Sequence, residues 1–361
     1  MSGTANQQST DAADISDNAQ PQNGHQDAAA ELASANDNSM TAAATCDATD
    51  ETETGGSEKE GDGPLELSIL SLNVHGWHNE EHASWTGLVA MLDAIKPDVI
   101  ALQEATKHRV PALAKALGNL HWSVRHNCAI LSRFELIDPS AITARSVKDS
   151  GLGKSRTASL RYNTATISPC EGLQIEIACV HLDHVRETTR LSQLRAIADH
   201  QLSPHREQRQ IWLGDYNALT RSDCSEEMWA RIADHRARSS WEAPVSEVSE
   251  MMTGRPQGLA AGRGGGGGGG TSANGKPRRS APLPALGFTD CWSAAEERNG
   301  PLGTSRFNTR IDYIYASPAL MKGSDSAAVV RRCDHFETIP HVSDHQAVFA
   351  TLDLGVRAGA R

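Results

Sequence analysis

The sequence predicts a mixed α/β fold in which two packed β-sheets carry helices on their outer faces. Short apolar runs with the length of buried strands recur along the chain, as at 65–73 and 210–213. Segments with a helical spacing of apolar residues separate several of these runs, as at 85–96 and 187–202. Strands and helices mixed in this way are typical of a sheet core that is covered by helices.

Local patterns place the individual elements. LELSILSLN at 65–73 is apolar and ends on a polar residue, as a buried strand does. The helix at 85–96 is closed by Pro97, and DVIALQ at 98–103 is a second short strand. The other predicted elements are helices at 107–117, 187–202 and 289–296 and strands near 122–132, 157–162, 173–182, 210–213, 310–316, 326–332 and 345–353.

The negative charge of the chain is concentrated at its N-terminus. Residues 1–63 contain thirteen acidic residues and one basic residue, whereas the remainder has 32 acidic and 33 basic residues. Because this segment has almost no large apolar side chain, we expect a disordered acidic tail that solvates the chain or contacts other proteins. The near-neutral remainder attracts duplex DNA only weakly, but a bound metal can supply positive charge for a phosphate-bearing substrate.

A single domain is predicted over residues 64–355, followed by a short C-terminal tail at 356–361. A glycine-rich segment at about 253–284 interrupts it and contains GRGGGGGGG at 262–270. No strand precedes these glycines and no Lys-Ser or Lys-Thr pair follows them, which argues against a phosphate-binding P-loop. We therefore expect a disordered insertion inside the domain.

Targeting and membrane signals are not visible in the sequence. No run of about 18 apolar residues occurs, and the first thirty residues lack the basic start and apolar stretch of a secretory signal. The seven cysteines are scattered and never form a C-x-x-C pair, which indicates reduced thiols. The expected location is the cytoplasm or the nucleus, and the expected state is a monomer without a membrane span.

Polar side chains stand at the ends of several predicted strands. Taken singly, each has a structural explanation, because an Asp or Asn after a strand is usually a turn former. Taken together, they favour a functional site, since strand ends at one edge of a packed core converge and ligands commonly bind there. These residues are Asn73, Glu104, His181, Asp183, Asp215, Asn217, Asp312, Asp344 and His345.

The order of these residues resembles the motif series of a known superfamily. LSLNVHG, ALQE, VHLDH, GDYN, RIDYIY and SDH look like the motifs of the endonuclease/exonuclease/phosphatase superfamily, over about residues 65–355. It includes DNase-I-like nucleases, abasic-site endonucleases, sphingomyelinases, inositol polyphosphate phosphatases and deadenylases. The resemblance implies a DNase-I-like four-layered α/β sandwich, in which two packed mixed β-sheets are flanked by helices. It does not assign a branch.

The same resemblance implies a divalent metal ion. Glu104 matches the principal metal ligand of the superfamily, with Asn73 and Asp344 near it. A hard cation held by few carboxylates and several waters suits the stabilisation of a phosphate, so Mg²⁺ is expected, and Mn²⁺ can substitute for it.

The catalytic roles also follow from the resemblance. Asp215 resembles the base that activates water, and Asn217 would donate to the transition-state phosphate. His345 would donate to the phosphate, with Asp312 holding its ring. His181 resembles a second histidine that contacts the phosphate and assists the leaving group.

Three further residues are candidates for contact with a substrate phosphate: Asp183, Arg306 and Arg310. For the two arginines, a salt bridge to an acidic neighbour is the slightly favoured alternative. His75 stands where abasic-site endonucleases carry an acidic residue, which disfavours abasic-site repair.

The predicted function is metal-dependent hydrolysis of a phosphodiester, most simply in nucleic acid, by an Asp-activated water. A lipid or inositol-phosphate phosphoesterase of the same superfamily is the alternative, and a hydrophobic surface loop or a basic headgroup pocket would indicate it. A catalytically inactive binding scaffold is the second alternative. It would lack Glu104, Asp215 or His345, and all three are present.

Overall fold

The computed structural model describes residues 63–75, 82–139, 146–149, 156–202, 208–255, 285–323, 327–337 and 343–357. They all belong to one compact unit. The predicted acidic tail apart from Gly63, positions 256–284 of the predicted insertion and positions 358–361 lie outside the described residues. Among the described helices, none has the length and apolar character needed to cross a membrane.

Strands and helices are interspersed along the described chain. The strands are β1 (Pro64–Asn73), β2 (Val99–Gln103), β3 (His121–Arg125), β4 (Cys128–Ser132), β5 (Ser146–Asp149), β6 (Arg156–Ser159), β7 (Arg161–Cys170), β8 (Leu173–His181), β9 (Gln210–Asp215), β10 (Thr289–Asp290), β11 (Glu297–Asn299), β12 (Asp312–Ala316), β13 (Val329–Phe336) and β14 (Ala347–Arg357). The α-helices are α1 (His82–Ile95), α2 (Val110–Ala116), α3 (Glu187–Leu202), α4 (Glu226–Arg238), α5 (Glu247–Thr253), α6 (Cys291–Ala294) and α7 (Pro318–Met321).

Twelve of these strands form two mixed sheets. The seven-stranded sheet has the order β11-β13-β14-β1-β2-β4-β3, and the five-stranded sheet has the order β10-β12-β9-β8-β7. Each sheet contains an inner parallel pair, β1 with β2 in the first and β8 with β9 in the second. Strands β5 and β6 form a separate antiparallel pair.

Strand β1 shows how the layers are stacked. Leu67 and Ile69 are fully buried in the apolar core between the two sheets. Leu70 and Leu72 are also fully buried, but they point into a second cluster on the outer face of the seven-stranded sheet. Because successive side chains of a strand point to opposite faces, an uninterrupted apolar run marks a strand that is covered on both sides.

Helices cover the outer face of each sheet. Leu88 of α1 and Leu113 of α2 pack on the seven-stranded sheet. Leu194 of α3 and Met252 of α5 pack on the five-stranded sheet. The architecture is therefore helix, sheet, sheet and helix, and the predicted four-layered sandwich of two mixed sheets is confirmed.

Helices α4 and α5 lie outside the predicted elements. Helix α4 buries none of its residues fully, but Met228, Trp229 and Ile232 are half-buried and recur at helical spacing, so the sequence does carry a helical pattern there. Helix α5 has only seven residues, which is too short for a clear helical period.

Backbone hydrogen bonds join the two sides of the glycine-rich insertion. The amide of Leu286 donates to the carbonyl of Met251 at 2.8 Å, and the amide of Phe288 donates to the carbonyl of Met252 at 2.8 Å. The chain that resumes after position 284 therefore lies directly against α5, the element that precedes the insertion.

Strand pairing brings the candidate site residues to one edge. Strands β1 and β2 end in register, so Asn73 and Glu104 are close together. In the other sheet His181 is paired with Asp215, and Asp215 is paired with Asp312. Three candidate side chains thus stand side by side on β8, β9 and β12.

Gly214 permits the close approach of β8 and β9 beside this edge. Its φ is +148°, and a Cβ atom at this position would lie 1.9 Å from the carbonyl oxygen of Val180. Any larger residue would have to displace the strand that carries His181.

We expect Gly214→Ala to lower the free energy of unfolding by at least about 2 kcal/mol, because the new methyl group meets backbone atoms that cannot rotate away. Gly172→Ala is the matched control, since its φ is +76° but no atom lies within 4 Å of the added Cβ. That variant should lose only about 1 kcal/mol from backbone strain. Urea unfolding of both variants measures the difference. Equal losses in the free energy of unfolding would show that the contact with Val180 does not constrain the pairing of β8 with β9.

Candidate active site

Asp215 lies at the centre of the strand-end cluster. It is 1% exposed, and both of its carboxylate oxygens accept hydrogen bonds. Asn73 Nδ2 donates to Oδ2 at 3.0 Å, and the amide of Asn217 donates to Oδ1 at 2.9 Å. Burial and the nearby charge of Asp312 raise the pKa of Asp215. A carboxylate with a raised pKa is a better proton acceptor, which suits a general base.

Asn73 connects Asp215 to Glu104. Its Nδ2 atom also lies 3.3 Å from Glu104 Oε1, so the two carboxylates face a common space. Glu104 has a φ of +57°, a left-handed conformation that costs a non-glycine residue about 1 kcal/mol or more. Its side chain is 28% exposed, so it is open to water and ions while Asp215 is not.

Asp312 and His345 form a hydrogen-bonded pair. His345 Nδ1 lies 2.9 Å from Asp312 Oδ2, and His345 Nε2 lies 3.9 Å from Asp215 Oδ2. Burial alone would lower the pKa of His345, but the charges of Asp312 and Asp215 outweigh it and raise the pKa to about 10. The ring is therefore a cation at neutral pH, and its Nε2 atom faces the central carboxylate.

His181 lies on the other side of Asp215. Its Nε2 atom lies 3.7 Å from Asp215 Oδ2 and 4.0 Å from Glu104 Oε1. Burial lowers the pKa of His181 and outweighs the two carboxylates, while the positive charge of Arg161 adds to the lowering. The two histidines that flank Asp215 are thus in different protonation states, one neutral and one charged.

The side chain of Asn217 is hydrogen-bonded to the backbone of a neighbouring strand end. Its φ is +49°, and its Nδ2 atom donates to the carbonyl of Leu182 at 3.1 Å. The side chain is half-buried and lies next to the strand-end cluster, where the sequence predicts it.

Asp344 lies at the rim of the cluster. Its Oδ1 atom lies 3.2 Å from His75 Nδ1, and its Oδ2 atom lies 3.7 Å from Arg306 Nη1. The preceding Ser343 hydroxyl donates to the backbone carbonyl of Asn73 at 2.5 Å. The last motif of the chain is thereby joined to the first.

The three candidate phosphate contacts have different surroundings. Asp183 Oδ1 accepts hydrogen bonds from the backbone amides of Val185 and Arg186 at 2.9 and 2.8 Å, so it shapes the turn into α3. Arg306 has a side chain that is 63% exposed at the rim of the site. It remains a candidate for contact with substrate.

Arg310 is occupied by acidic partners. Its guanidinium donates to both carboxylate oxygens of Asp290, at 2.9 and 2.7 Å, and to Asp223 Oδ2 at 2.7 Å. It is fully buried and lies 4.5 Å from the centre of the Tyr313 ring. This arginine therefore braces the loops around β12 instead of facing a substrate.

The sequence patterns do not indicate the hydroxyl residues that fix the positions of Asp312 and His345. Thr304 Oγ1 accepts from the amides of Ile311 and Asp312 at 3.0 and 3.1 Å, and this fixes the start of β12. Ser305 forms an isolated bridge with His345. Hydroxyl residues in loops carry no periodic signal, so only the nearness of Thr304 to the RIDYIY motif could have indicated them.

The donor set fits a divalent cation. Glu104 offers a partly exposed carboxylate near the buried carboxylate of Asp215, and carboxylate oxygens are the ligands that hard cations prefer. Asn73 turns its Nδ2 atom toward both carboxylates, while its Oδ1 atom accepts from the amide of His75 at 2.9 Å. A second arrangement brings Asp215, Asp312 and His345 together, with ligand atoms within 4.8 Å of one another. In that group His345 Nδ1 is hydrogen-bonded to Asp312, and the positive charge of the protonated ring disfavours a metal ion next to it.

Comparison of sequences assigns the family. Residues 70–345 match the model of the Endonuclease/Exonuclease/phosphatase family. The chain belongs to this family. Its members are hydrolases that include nucleases and phosphatases, and they typically use divalent metal ions. Among curated proteins, no sequence match is found.

Solved structures from distant relatives resemble the chain. A family member from Bacteroides vulgatus is 13% identical, with a TM-score of 0.53 and coverage of 80% of this chain and 98% of that one. Humanized D. rerio TDP2 is 17% identical, with a TM-score of 0.47 and coverage of 80% and 99%. A mannosyl-6-phosphatase from Bacteroides thetaiotaomicron is 15% identical, with a TM-score of 0.47 and coverage of 79% and 99%. The first likeness shows that the fold is shared.

We expect Asp312→Asn to lower the pKa of His345 well below about 10, because the amide removes the main charge that opposes burial. The stability that this pair contributes is fully present below the ordinary histidine value of 6.5 and is lost as the pH rises through about 10. In the variant, the stabilising contribution of a charged His345 should be lost at a lower pH than in the wild type.

Nitrogen NMR titration of the histidine rings in metal-free protein measures this change. His335 is the internal control for an intact fold, since burial lowers its pKa to about 4. An unchanged His345 pKa in a folded variant would mean that Asp312 does not hold the charge of the ring.

Proposed function

We propose that this protein hydrolyses a phosphodiester in nucleic acid with a water molecule that Asp215 activates. The arrangement of Asp215 carries the proposal. It is a buried carboxylate with a raised pKa, fixed by Asn73 and the amide of Asn217, and flanked by the Nε2 atoms of two histidines at 3.7 and 3.9 Å. A water bound at this carboxylate loses its proton to Asp215 as it attacks phosphorus.

His345 has the role of a charged donor. The cationic ring is held at Nδ1 by Asp312, and Nε2, on the opposite side of the ring, is the atom that would donate to a non-bridging phosphate oxygen. The negative charge on that oxygen grows in the transition state, and a donor fixed in advance stabilises it without reorganisation.

His181 has the role of a neutral donor. Burial keeps the ring uncharged, and its Nε2 atom lies between Asp215 and Glu104. A neutral ring here donates a hydrogen bond to the phosphate or to the leaving oxygen and does not form a permanent ion pair with Asp215.

Glu104, Asn73 and Asp344 are the residues we assign to Mg²⁺, and Asp344 follows Ser343, whose hydroxyl donates to the carbonyl of Asn73. Glu104 contributes the carboxylate that is open to ions, and Asn73 orients it through the hydrogen bond at 3.3 Å. The bound ion supplies positive charge for the phosphate oxygens. This supply explains how a near-neutral domain can serve a polyanionic substrate.

A substrate panel tests the proposal on the full chain. Single- and double-stranded DNA, RNA, a 5′-phosphotyrosyl oligonucleotide, sphingomyelin, inositol phosphates and sugar phosphates are compared in Mg²⁺, in Mn²⁺ and in EDTA. We expect cleavage of nucleic acid that EDTA abolishes and Mg²⁺ restores. For Glu104→Gln, half-maximal activity should require about tenfold more Mg²⁺, because the amide lacks the charge that holds a hard cation. Cleavage confined to lipid, inositol or sugar phosphates would contradict the proposal that nucleic acid is the substrate.

We expect Asp215→Asn to lower kcat by about 10²–10⁴-fold with little change in KM, because the amide cannot accept the proton. Asp183→Asn is the matched control, an acidic residue on the same loop edge whose carboxylate only shapes the turn into α3. Its kcat should stay within about threefold of wild type. A similar loss in both variants, with unchanged melting temperatures, would remove Asp215 from the proton transfer.

A further inference from the structure

An exposed cluster of aromatic rings lies beside the catalytic edge. His235 lies 5.4 Å from Phe307 and 6.1 Å from Trp241, measured between ring centres. Phe307 is 42% exposed and Trp241 is 37% exposed. Large apolar rings that remain in water usually serve recognition when they occur together. We name these three residues the aromatic platform.

Tight turns fix the platform in place. His235 lies in the last turn of α4, and the amide of Trp241 donates to the carbonyl of Arg236 at 2.8 Å, which folds the chain back after the helix. On the other side, the amide of Phe307 donates to Ser305 Oγ at 3.3 Å, within a turn closed by the bond from the amide of Asn308 to the carbonyl of Ser305. Rings held this firmly lose little entropy on binding.

Arg306 connects the platform to the catalytic residues. Its guanidinium carbon lies 4.9 Å from the centre of the Phe307 ring, and its Nη1 atom lies 3.7 Å from Asp344 Oδ2. The neighbouring Ser305 forms a bridge with His345. The positive charge of Arg306 therefore lies between the aromatic platform and the proposed phosphate site. Arg306 and Phe307 belong to the same short loop.

We propose that the aromatic platform binds an unpaired base of a single nucleic-acid strand, next to the phosphodiester that is cleaved. The inference rests on the proposed function for the position of that phosphate. Phe307 and Trp241 offer ring faces on which bases stack, and Arg306 offers the charge that an adjacent phosphate requires. This alternation of ring and cation matches the alternation of base and phosphate along a strand.

The platform distinguishes single strands from duplexes. In a duplex each base is already stacked on both faces, so it must be unstacked at a cost before it can contact Phe307. An unpaired strand offers its bases freely. Stacking also supplies affinity that does not depend on a strongly basic surface, and residues 64–361, with 32 acidic and 33 basic residues, do not provide one.

A binding measurement without turnover tests the platform. The full chain carrying Asp215→Asn, so that substrate stays intact, is titrated in Mg²⁺ against a short fluorescent single-stranded DNA by anisotropy. Adding Phe307→Ala should raise Kd by about tenfold, and Phe307→Trp should restore it, because the stacking face is what matters. Trp241→Ala should also raise Kd, by about threefold or more.

Two controls separate stacking from loss of structure. Trp122→Ala removes a tryptophan that is 45% exposed on β3, toward the end of the sheet away from the catalytic edge, and it should leave Kd unchanged. An oligonucleotide of the same length without bases should bind about tenfold more weakly and should not respond to Phe307→Ala. Melting temperatures of all variants should stay near that of the parent.

The outcomes distinguish this inference from the proposed function. A chain that cleaves DNA while Phe307→Ala and Trp122→Ala bind it equally well overturns the platform alone. A chain that binds single strands through Phe307 but cleaves no nucleic acid overturns the proposed function alone. Absence of any DNA binding, or an equal effect of Phe307→Ala on the binding of duplex DNA or a sugar phosphate, also overturns the platform.

Discussion

The burial of two like charges on adjacent strands is the constraint around which the rest of this site is arranged. Asp215 and Asp312 are register partners on β9 and β12, and both are 1% exposed. Two carboxylates deprived of water repel each other, and burial together with the charge of Asp312 raises the pKa of Asp215. His345 reduces the repulsion because its ring contacts Asp312 through one nitrogen and faces Asp215 through the other. The remaining polar groups of the site then hold this arrangement.

A chain of hydrogen bonds among loop residues fixes that ring. Thr304 accepts from the amide of Asp312 through its hydroxyl and from the amide of Gln346 through its carbonyl, at 3.1 and 2.7 Å. Ser343 then donates to the carbonyl of Asn73, whose own amide reaches Asp215. Segments that are far apart in the sequence thus converge on one carboxylate, so the geometry of the site depends on the packing of both sheets. This is the pre-organisation that electrostatic catalysis requires.

The sequence predicts the layers better than it predicts the loops. Strand β1 is a run of apolar residues buried on both faces, and its pattern alone indicates a central strand. The strand-end positions of Asn73, Glu104, His181 and Asp215 follow from the same patterns, because strand ends meet at one edge. Their roles do not follow from patterns and come from the resemblance of the motifs.

The remaining features could not be predicted, because they depend on contacts between segments without periodicity. Helix α4 is the exception, because Met228, Trp229 and Ile232 recur at helical spacing and could have indicated it. The two candidate readings of Arg310 differ only in whether acidic residues face it, and its partners Asp223 and Asp290 lie 87 and 20 positions away. Local sequence cannot distinguish such a buried ion pair from a substrate contact. The aromatic platform is also assembled from two separate loops, one after α4 and one before β12.

The bonds that join Leu286 to Met251 and Phe288 to Met252 bear on how this gene could have changed over time. They hold the described residues that precede and follow positions 256–284 side by side. When the ends of a loop are held in this way, each doubling of its length costs only about 0.6 kcal/mol. Codon-repeat expansion that lengthens or shortens the glycine run at 264–270 would therefore have little effect on folding. The same insertion would be far more costly within β9 or β12, where a shift of one residue would turn Asp215 or Asp312 to the opposite face of the sheet.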